Sequence, residues 1–301
     1  MIKLSHLKLI KSLSNNGNVS EAAEELFISQ SALSHKIKKL ENLLGEMIFV
    51  RHSSPLKLTP NGLKLLDLAN DVLPKIEHTE RQLFQIEGGR LNIAIECHSC
   101  FDWLLPTLEI FRKKQPKIDF DLSISFSFEP FEALKNYDID MVITSEIVKT
   151  KLFYYFPIFN YQMMMIMSKN NVLADKKYLL PKDIKNQTLL TYPVDINRLD
   201  VFNYFLKPAK ISPKTIRKVE LNLMMMQLIL NNQGIATMPE WALTNKQKET
   251  INLKPLTKNG LWRTLYLAVR IDDKDLEYIS DFVKITKSIC FKNLKNISKV
   301  K

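Results

Sequence analysis

VSEAAEELFISQSALSHKIKKLENLLG, residues 19–45, decides how the first part of this chain is read. Residues 19–26 have the composition of a short helix opened by Ser20 as N-cap, with Ala22 and Ala23 small enough for close helix contact. Phe27, Ile28 and Ser29 make a turn, and Ser29 caps a second helix in which Leu33, Ile37, Leu40 and Leu44 recur at helical spacing until Gly45 ends it. Two helices on so short a connection, with a polar leading face on the second, predict a helix-turn-helix. The positions left exposed on the second helix are Gln30, Ser31, Ser34, His35 and Lys38, flanked by Lys36 and Lys39. Glutamine can bridge two atoms of an adenine edge, serine and histidine reach bases or phosphates, and lysine holds phosphate as a point charge. Any capped surface helix carries such residues, so composition alone leaves a merely solvated face as open as a DNA-reading one.

Working outward, MIFV and LKL flank RHSSP at 51–55. The pattern predicts a small hairpin whose tip carries Arg51 and His52, a wing able to reach a minor groove or phosphates. Thr59 and Pro60 read as N-cap and first helical position. One amphipathic run follows, placing Leu65, Leu66, Ala69, Val72, Leu73, Ile76 and Leu83 on a broad face. A solitary helix at a domain edge has nothing to bury that face against, so a second copy of the chain is expected to cover it. Packing on its own domain is the alternative. Pro74 is expected to kink or divide the helix, and Gly88 and Gly89 mark its far boundary.

Beyond residue 90, strand-like and helical stretches alternate. RLNIAIE, IDFDLSIS and IDMVITS read as strands, with FDWLLPTLEIFRKK and EPFEALKN as helices between them. Such order implies a mainly parallel sheet with helices on both faces and ligands bound beyond the strands' C-terminal ends. A second set follows: YQMMMIMS, TLLTY, RLDVFNYFL, IRKVEL, the helix NLMMMQLILNNQ, GIATMP and WALTNKQKE. The strand LWRTLYLAV and a last helix from Asp273 to about Lys292 return to the first set. Two α/β lobes crossed twice by the chain enclose a cleft. The Met triplets at 163–165 and 224–226 read as core packing.

The stretch IECHSCFDWLLP, residues 95–106, admits several chemistries. A C-x-x-C at a helix N-terminus can act in redox exchange, but the proline-and-aromatic context of such motifs is absent around Cys97 and Cys100. Zinc needs four ligands, and Cys97, His98 and Cys100 have no second Cys/His pair nearby. Buried cysteines acting as small hydrophobes is the plain reading. A pocket fits best: where strand passes to helix, backbone N–H groups of 98–101 and the Ser99 hydroxyl converge on the place of an amino-acid carboxylate. Cys97 and Cys100 beside Trp103 would offer a soft wall to a thiol.

The chain has 301 residues and a formal charge of +11. That charge suits a nucleic-acid partner, although lysine predominates throughout and a general lysine bias accounts for much of the excess. Three cysteines, Cys97, Cys100 and Cys290, fit a reducing compartment. With neither a signal-peptide pattern nor a membrane-crossing run, a cytoplasmic location and no membrane partner are expected. The missing signal also argues against a periplasmic binder. An enzyme is disfavoured because GxGxxG, P-loop and HExxH motifs are lacking.

SALSHKIKKLENLLGEMIFVR with the following LTPNG resembles the DNA-binding domain of LysR-type transcriptional regulators, and the likeness of layout runs along the whole chain. It implies a winged helix-turn-helix at 1–59 and a linker and dimerisation helix at 60–87. A two-lobed α/β effector-binding domain of periplasmic-binding-protein type follows at 90–301, with lobe I about 90–160 and 265–301 and lobe II about 161–264. The stretches IAIECHSCFDWLLPTLE, YPVDINRLDVFNYFL, GIATMPEW and GLWRTLYLAVR are similar to the branch of that family that regulates methionine biosynthesis with homocysteine as coactivator. A regulator answering another small metabolite, or a thiol-redox regulator acting through Cys97 and Cys100, is the alternative. Carried over by position, DNA contacts fall on Gln30, Ser31, Ser34, His35 and Arg51, with Lys38 beside them. The effector pocket falls on His98, Ser99, Cys100, Thr144 and Ser145, faced by Tyr192, Arg198, Met238 and Pro239. The resemblance further implies duplex DNA with an interrupted palindrome, a dimer or dimer of dimers, contact with RNA polymerase, no cofactor and no metal.

Overall fold

The computed structural model describes residues 1–50, 53, 55–83, 89–96, 101–123 and 129–300. Chain contacts divide it into two units, Met1–Gly89 with Lys135–Asp138, and Arg90–Leu134 with Ile139–Lys301.

The first unit holds α1 (Leu4–Asn16), α2 (Val19–Glu25), α3 (Gln30–Leu44) and α4 (Pro60–Leu83). Leu9, Ile10 and Leu13 of α1, Ala22 and Ala23 of α2, and Leu33 and Leu40 of α3 share one buried core with Ile48, Phe49 and Leu65. Each leucine so buried contributes about 1.5–3 kcal/mol. The buried Ser12 hydroxyl lies 2.8 Å from the Glu25 carboxylate and 3.3 Å from the Ala22 carbonyl, pinning α1 to α2. The cap of α2 is Asn18 and not Ser20. Asn18 lies in extended backbone and its side chain accepts from the Glu21 N–H at 2.8 Å, which starts the helix at Val19 and leaves Ser20 inside the first turn.

The wing strands meet in one antiparallel bridge, Phe49 with Leu58, and the Val50 N–H donates to the Lys57 carbonyl at 2.8 Å. Arg51 and His52 lie outside the described residues. Thr59 Oγ1 accepts from the Gly62 N–H at 3.1 Å at the head of α4. A Cβ on Gly62 would come within 2.3 Å of the Ile48 carbonyl oxygen, so glycine is what lets α4 start against the base of the wing.

Pro74 does not divide α4, which continues through it to Leu83. Nor is the apolar face of α4 wholly without a partner in its own chain. Leu65 enters the core, and Ala69 and Leu73 pack with Leu7 of α1. Of the rest of that face, Leu66, Val72 and Ile76 are half-buried and Leu83 is exposed, and Leu63 and Leu68 elsewhere on the helix are exposed as well. The covered half is taken by α1 because Leu7, one turn ahead of the core residues Ile10 and Leu13, extends the same face.

The second unit opens with β1 (Gly89–Ile95), α5 (Phe101–Lys114), β2 (Ile118–Ser123), α6 (Pro130–Lys135), β3 (Met141–Thr144) and β4 (Phe153–Ser168). It continues with β5 (Thr188–Thr191), β6 (Thr215–Lys218), α7 (Asn222–Leu230), β7 (Ile235–Pro239), α8 (Asn245–Thr250) and β8 (Ile251–Pro255). The last elements are β9 (Leu261–Arg270), α9 (Glu277–Asn293) and β10 (Ile297–Ser298). The sheet runs β2-β1-β3-β9-β4-β7-β5-β6, with β8 and β10 also paired to β4.

This sheet is mixed, not mainly parallel. β1 pairs parallel with β3, and β5 with β6 and β7, but β4 and β9 pair antiparallel from Phe153↔Arg270 to Met163↔Leu261. A chain that passes out to a second lobe and back does so in opposite directions, and adjacent passages pair antiparallel. YQMMMIMS is only the second half of β4; the aromatic stretch 153–160 before it is the first half.

One core joins Trp103, Leu104 and Phe111 of α5 and Ile279, Phe282 and Cys290 of α9 to β1, β3, β4 and β9. In the second lobe, Met165, Leu189, Phe202, Phe205 and Ile235 fill one face, while Met225, Met226, Ile229 and Met238 fill the other. The Met triplets are therefore core with one exception, Met224, which is exposed. RLDVFNYFL contains a short π-type turn, Val201–Leu206, that buries Phe202 and Phe205. Among the described residues no helix is long and apolar enough to cross a membrane.

Candidate functional site

Helix α3 begins on Ser29, whose Oγ accepts from the Ala32 N–H at 3.2 Å, and ends on Gly45 in the left-handed region at φ +70°. Leu33 and Leu40 fix its inner side in the core, so Gln30, Ser31, Ser34, His35, Lys36, Lys38 and Lys39 all stand exposed. Ser34, Ile37, Lys38 and Glu41 line a groove completed by Met47, Phe49, Val50 and Leu56. The Glu41 carboxylate accepts from the Ile48 N–H at 2.9 Å, tying the wing base to α3. A rigid helix with polar groups facing water beside a β-connection has the shape of a major-groove reader.

A second cluster of polar groups lies where β1 and β3 end. The Ile95↔Ile143 register brings the two C-terminal ends side by side, and the Glu96 N–H donates to the Ile143 carbonyl at 3.1 Å. Thr144 is buried and its Oγ1 accepts from the Glu146 N–H at 2.9 Å. Across from these ends, the short turn Ile196–Arg198 is capped by Asp195, whose Oδ1 accepts from the Asn197 N–H at 2.7 Å. That turn delivers Arg198, whose guanidinium donates to Glu96 Oε1 at 2.7 Å.

Beside this pair, Arg263 of β9 places Nε 3.0 Å from Asp200 Oδ1, donates from Nη2 to the Ser145 carbonyl at 2.8 Å and lies 4.6 Å over the Tyr204 ring. Tyr161 of β4 is its register partner. Burial raises the carboxyl pKa of Glu96, with the Glu146 charge adding to it and Thr144 and Arg198 opposing. Burial likewise raises Glu146 and Asp200, against the pull of the arginines. The Tyr161 hydroxyl is pushed up by burial, and that of Tyr192 is pushed up to about 12 by the same cause.

The expected effector residues thus divide. Thr144, Ser145 and Arg198 come together in this cluster. Tyr192 is half-buried against the second lobe's core, and Met238 is buried within that core. His98, Ser99 and Cys100, with Cys97, lie outside the described residues. Among the described residues no three His, Cys, Asp or Glu side chains gather as metal ligands. Glu96, Glu146, Asp200, Arg263, Tyr161 and Tyr204 complete the cluster and are not among the residues expected from sequence. The available signal was a charge set inside an apolar strand, Glu96 closing IAIE and Arg263 within LWRTLYL.

Residues 4–63 match the bacterial regulatory helix-turn-helix protein model of the lysR family, and residues 85–289 match the LysR substrate binding domain. The chain belongs to the LysR family. This LysR-type regulator is 39% identical, over 95% of its length and 90% of its relative's, to the HTH-type transcriptional regulator MetR of Salmonella typhimurium. Against the MetR of Haemophilus influenzae it is also 39% identical, over 99% of its length and 97% of the relative's. The regulatory domain of MetR from N. meningitidis aligns with it at a TM-score of 0.65 and 33% identity, covering 71% of this chain and 99% of that domain. The expected architecture, a helix-turn-helix followed by a two-lobed α/β domain, is the one observed. The protein is a DNA-binding transcriptional regulator and not an enzyme.

Proposed function

We propose that this LysR-type regulator controls methionine-biosynthesis genes from the cytoplasm, with homocysteine as its coactivator. The observation that carries the reading is the polar cluster at the strand ends, joined to near-full-length likeness to regulators named MetR. Paired acids and arginines at the C-terminal ends of β1 and β3 suit a small zwitterion. In this reading residues 1–59 are the DNA-binding domain, 60–87 the dimerisation helix and 90–301 the effector domain, with lobe I about 90–160 and 265–301 and lobe II about 161–264. The exposed Leu63, Leu68 and Leu83 of α4 are left for a second copy.

Gln30, Ser31, Ser34, His35, Lys38 and Arg51 contact an interrupted palindrome, and the dimer or dimer of dimers meets RNA polymerase there. The effector is held by His98, Ser99, Cys100, Thr144, Ser145, Tyr192 and Arg198. Homocysteine acts by binding one arrangement of the subunits better than the other. Titrating a methionine-gene operator with and without homocysteine tests the proposal: the binding curve or footprint shifts with homocysteine, and an unchanged curve and footprint refutes the coactivator. Gln30→Ala relaxes base preference, whereas Lys38→Ala weakens all sequences alike. Two variants that behave identically across operator changes would remove those assigned roles.

A further inference from the structure

The two ion pairs in the cleft are built differently. Arg263 holds Asp200, the Ser145 carbonyl and the Tyr204 ring at once, so its guanidinium is fixed in place. Arg198 stands on a three-residue turn of one lobe and reaches Glu96 at a strand end of the other, 2.7 Å away, with side chains 26% and 12% exposed respectively. Two opposite charges, both largely withdrawn from water, thus meet where an open α/β sheet places its ligand. Stripping one member of such a pair of its partner leaves an uncompensated charge largely withdrawn from water. A ligand entering between them therefore has to bring one charge of each sign.

We propose that Glu96 and Arg198 exchange each other for the two ends of an α-amino acid, Glu96 taking the ammonium and Arg198 the carboxylate, so that this pair sets the cleft's specificity for zwitterions. The proposal rests on the amino-acid effector of the preceding section. A carboxylate lacking the amine satisfies Arg198 but leaves Glu96 beside Glu146, whose charge already opposes its ionisation. An amine lacking the carboxylate satisfies Glu96 but takes from Arg198 the acid 2.7 Å away, with only the charge of Glu146 still acting on it and no hydrogen-bonded carboxylate gained in exchange. The Asp200–Arg263 pair stays formed throughout and holds the Ser145 backbone.

Calorimetric titration of the full-length protein tests this with three probes: homocysteine, 4-mercaptobutyrate, which has no amine, and homocysteine methyl ester, which has no carboxylate. Homocysteine is expected to bind about a hundredfold tighter than either analogue. Glu96→Gln is expected to lower homocysteine affinity by about tenfold or more and to narrow the gap to 4-mercaptobutyrate. Arg198→Gln does the same and narrows the gap to the ester. Equal binding of all three probes to the unmodified protein overturns the zwitterion rule while a thiol effector stands, and this arm needs no variant to fold. Folded variants with unchanged homocysteine affinity overturn the role of the pair alone. Failure of the unmodified protein to bind any probe overturns the amino-acid effector and this proposal with it.

Discussion

On α3 the side chains of Gln30, Ser31, Ser34, His35 and Lys38 stand in water on a helix whose other side is locked into the core. At the cleft, Glu96, Arg198, Asp200 and Arg263 are largely withdrawn from water and bonded to one another. Polar residues of the first kind add little to folding, because their side chains stand in water. Residues of the second kind are part of what keeps the lobes together, so any ligand must replace bonds that already exist. Under the proposed function the duplex meets a surface prepared by exposure, and the small molecule meets one prepared by pairing.

Raising salt separates the two surfaces most widely. If a dimer makes roughly 6–10 phosphate contacts, operator affinity falls by about 10³-fold or more between about 50 and 200 mM salt. Ligand affinity at the paired cleft changes by less than about tenfold over the same range, since buried charges are little screened. Parallel filter-binding and calorimetric titrations check this, and a cleft as salt-sensitive as the operator would erase the distinction.

Arg263→Ala comes next. It leaves Asp200 buried without its ion pair and is expected to destabilise the effector unit by about 3 kcal/mol in urea unfolding. Gln30→Ala should change stability by less than about 0.5 kcal/mol. Comparable losses would mean that α3 is built like the cleft. Ser29→Ala should lower the stability of the N-terminal unit by about 1 kcal/mol through loss of the cap on Ala32, and should weaken all operators alike because it tilts the reading end without touching its side chains.

The smallest effect concerns pH. Burial raises the Glu146 pKa above its unfolded value, so the stability it contributes is full below the unfolded value and is lost as pH rises through the folded one. Glu146→Gln should therefore be slightly stabilising at neutral pH, by less than about 1 kcal/mol, with the gain vanishing as pH falls toward about 4. Thermal melts across that range check the sign, and a gain that grows with acidity would reverse the assignment.

Legibility from sequence followed the range of the interactions. The second helix of the DNA-binding motif was plain, because Ser29, the Leu33–Leu40 spacing and Gly45 act within a few residues of one another. Ser20 reads as a cap from sequence because Asn18, two residues earlier, has the same capping chemistry and only backbone geometry separates them. The antiparallel centre of the sheet was hidden, since strand direction depends on how the chain returns across the molecule. Thr144, Ser145 and Arg198 could be brought to one place only through likeness to a family. Asp200 and Arg263 escaped even that, because their pairing joins residues far apart in sequence that look like ordinary surface charges.

The position of β9 between β3 and β4 fixes an order of events during synthesis. Residues 261–270 emerge from the ribosome only after β4 to β8 have been made, so most of the second lobe can settle while the first still has a gap in the middle of its sheet. Until those ten residues and the last helix arrive, Thr144 sits at the end of an open edge, and the nascent regulator has its helix-turn-helix before it has a finished effector domain.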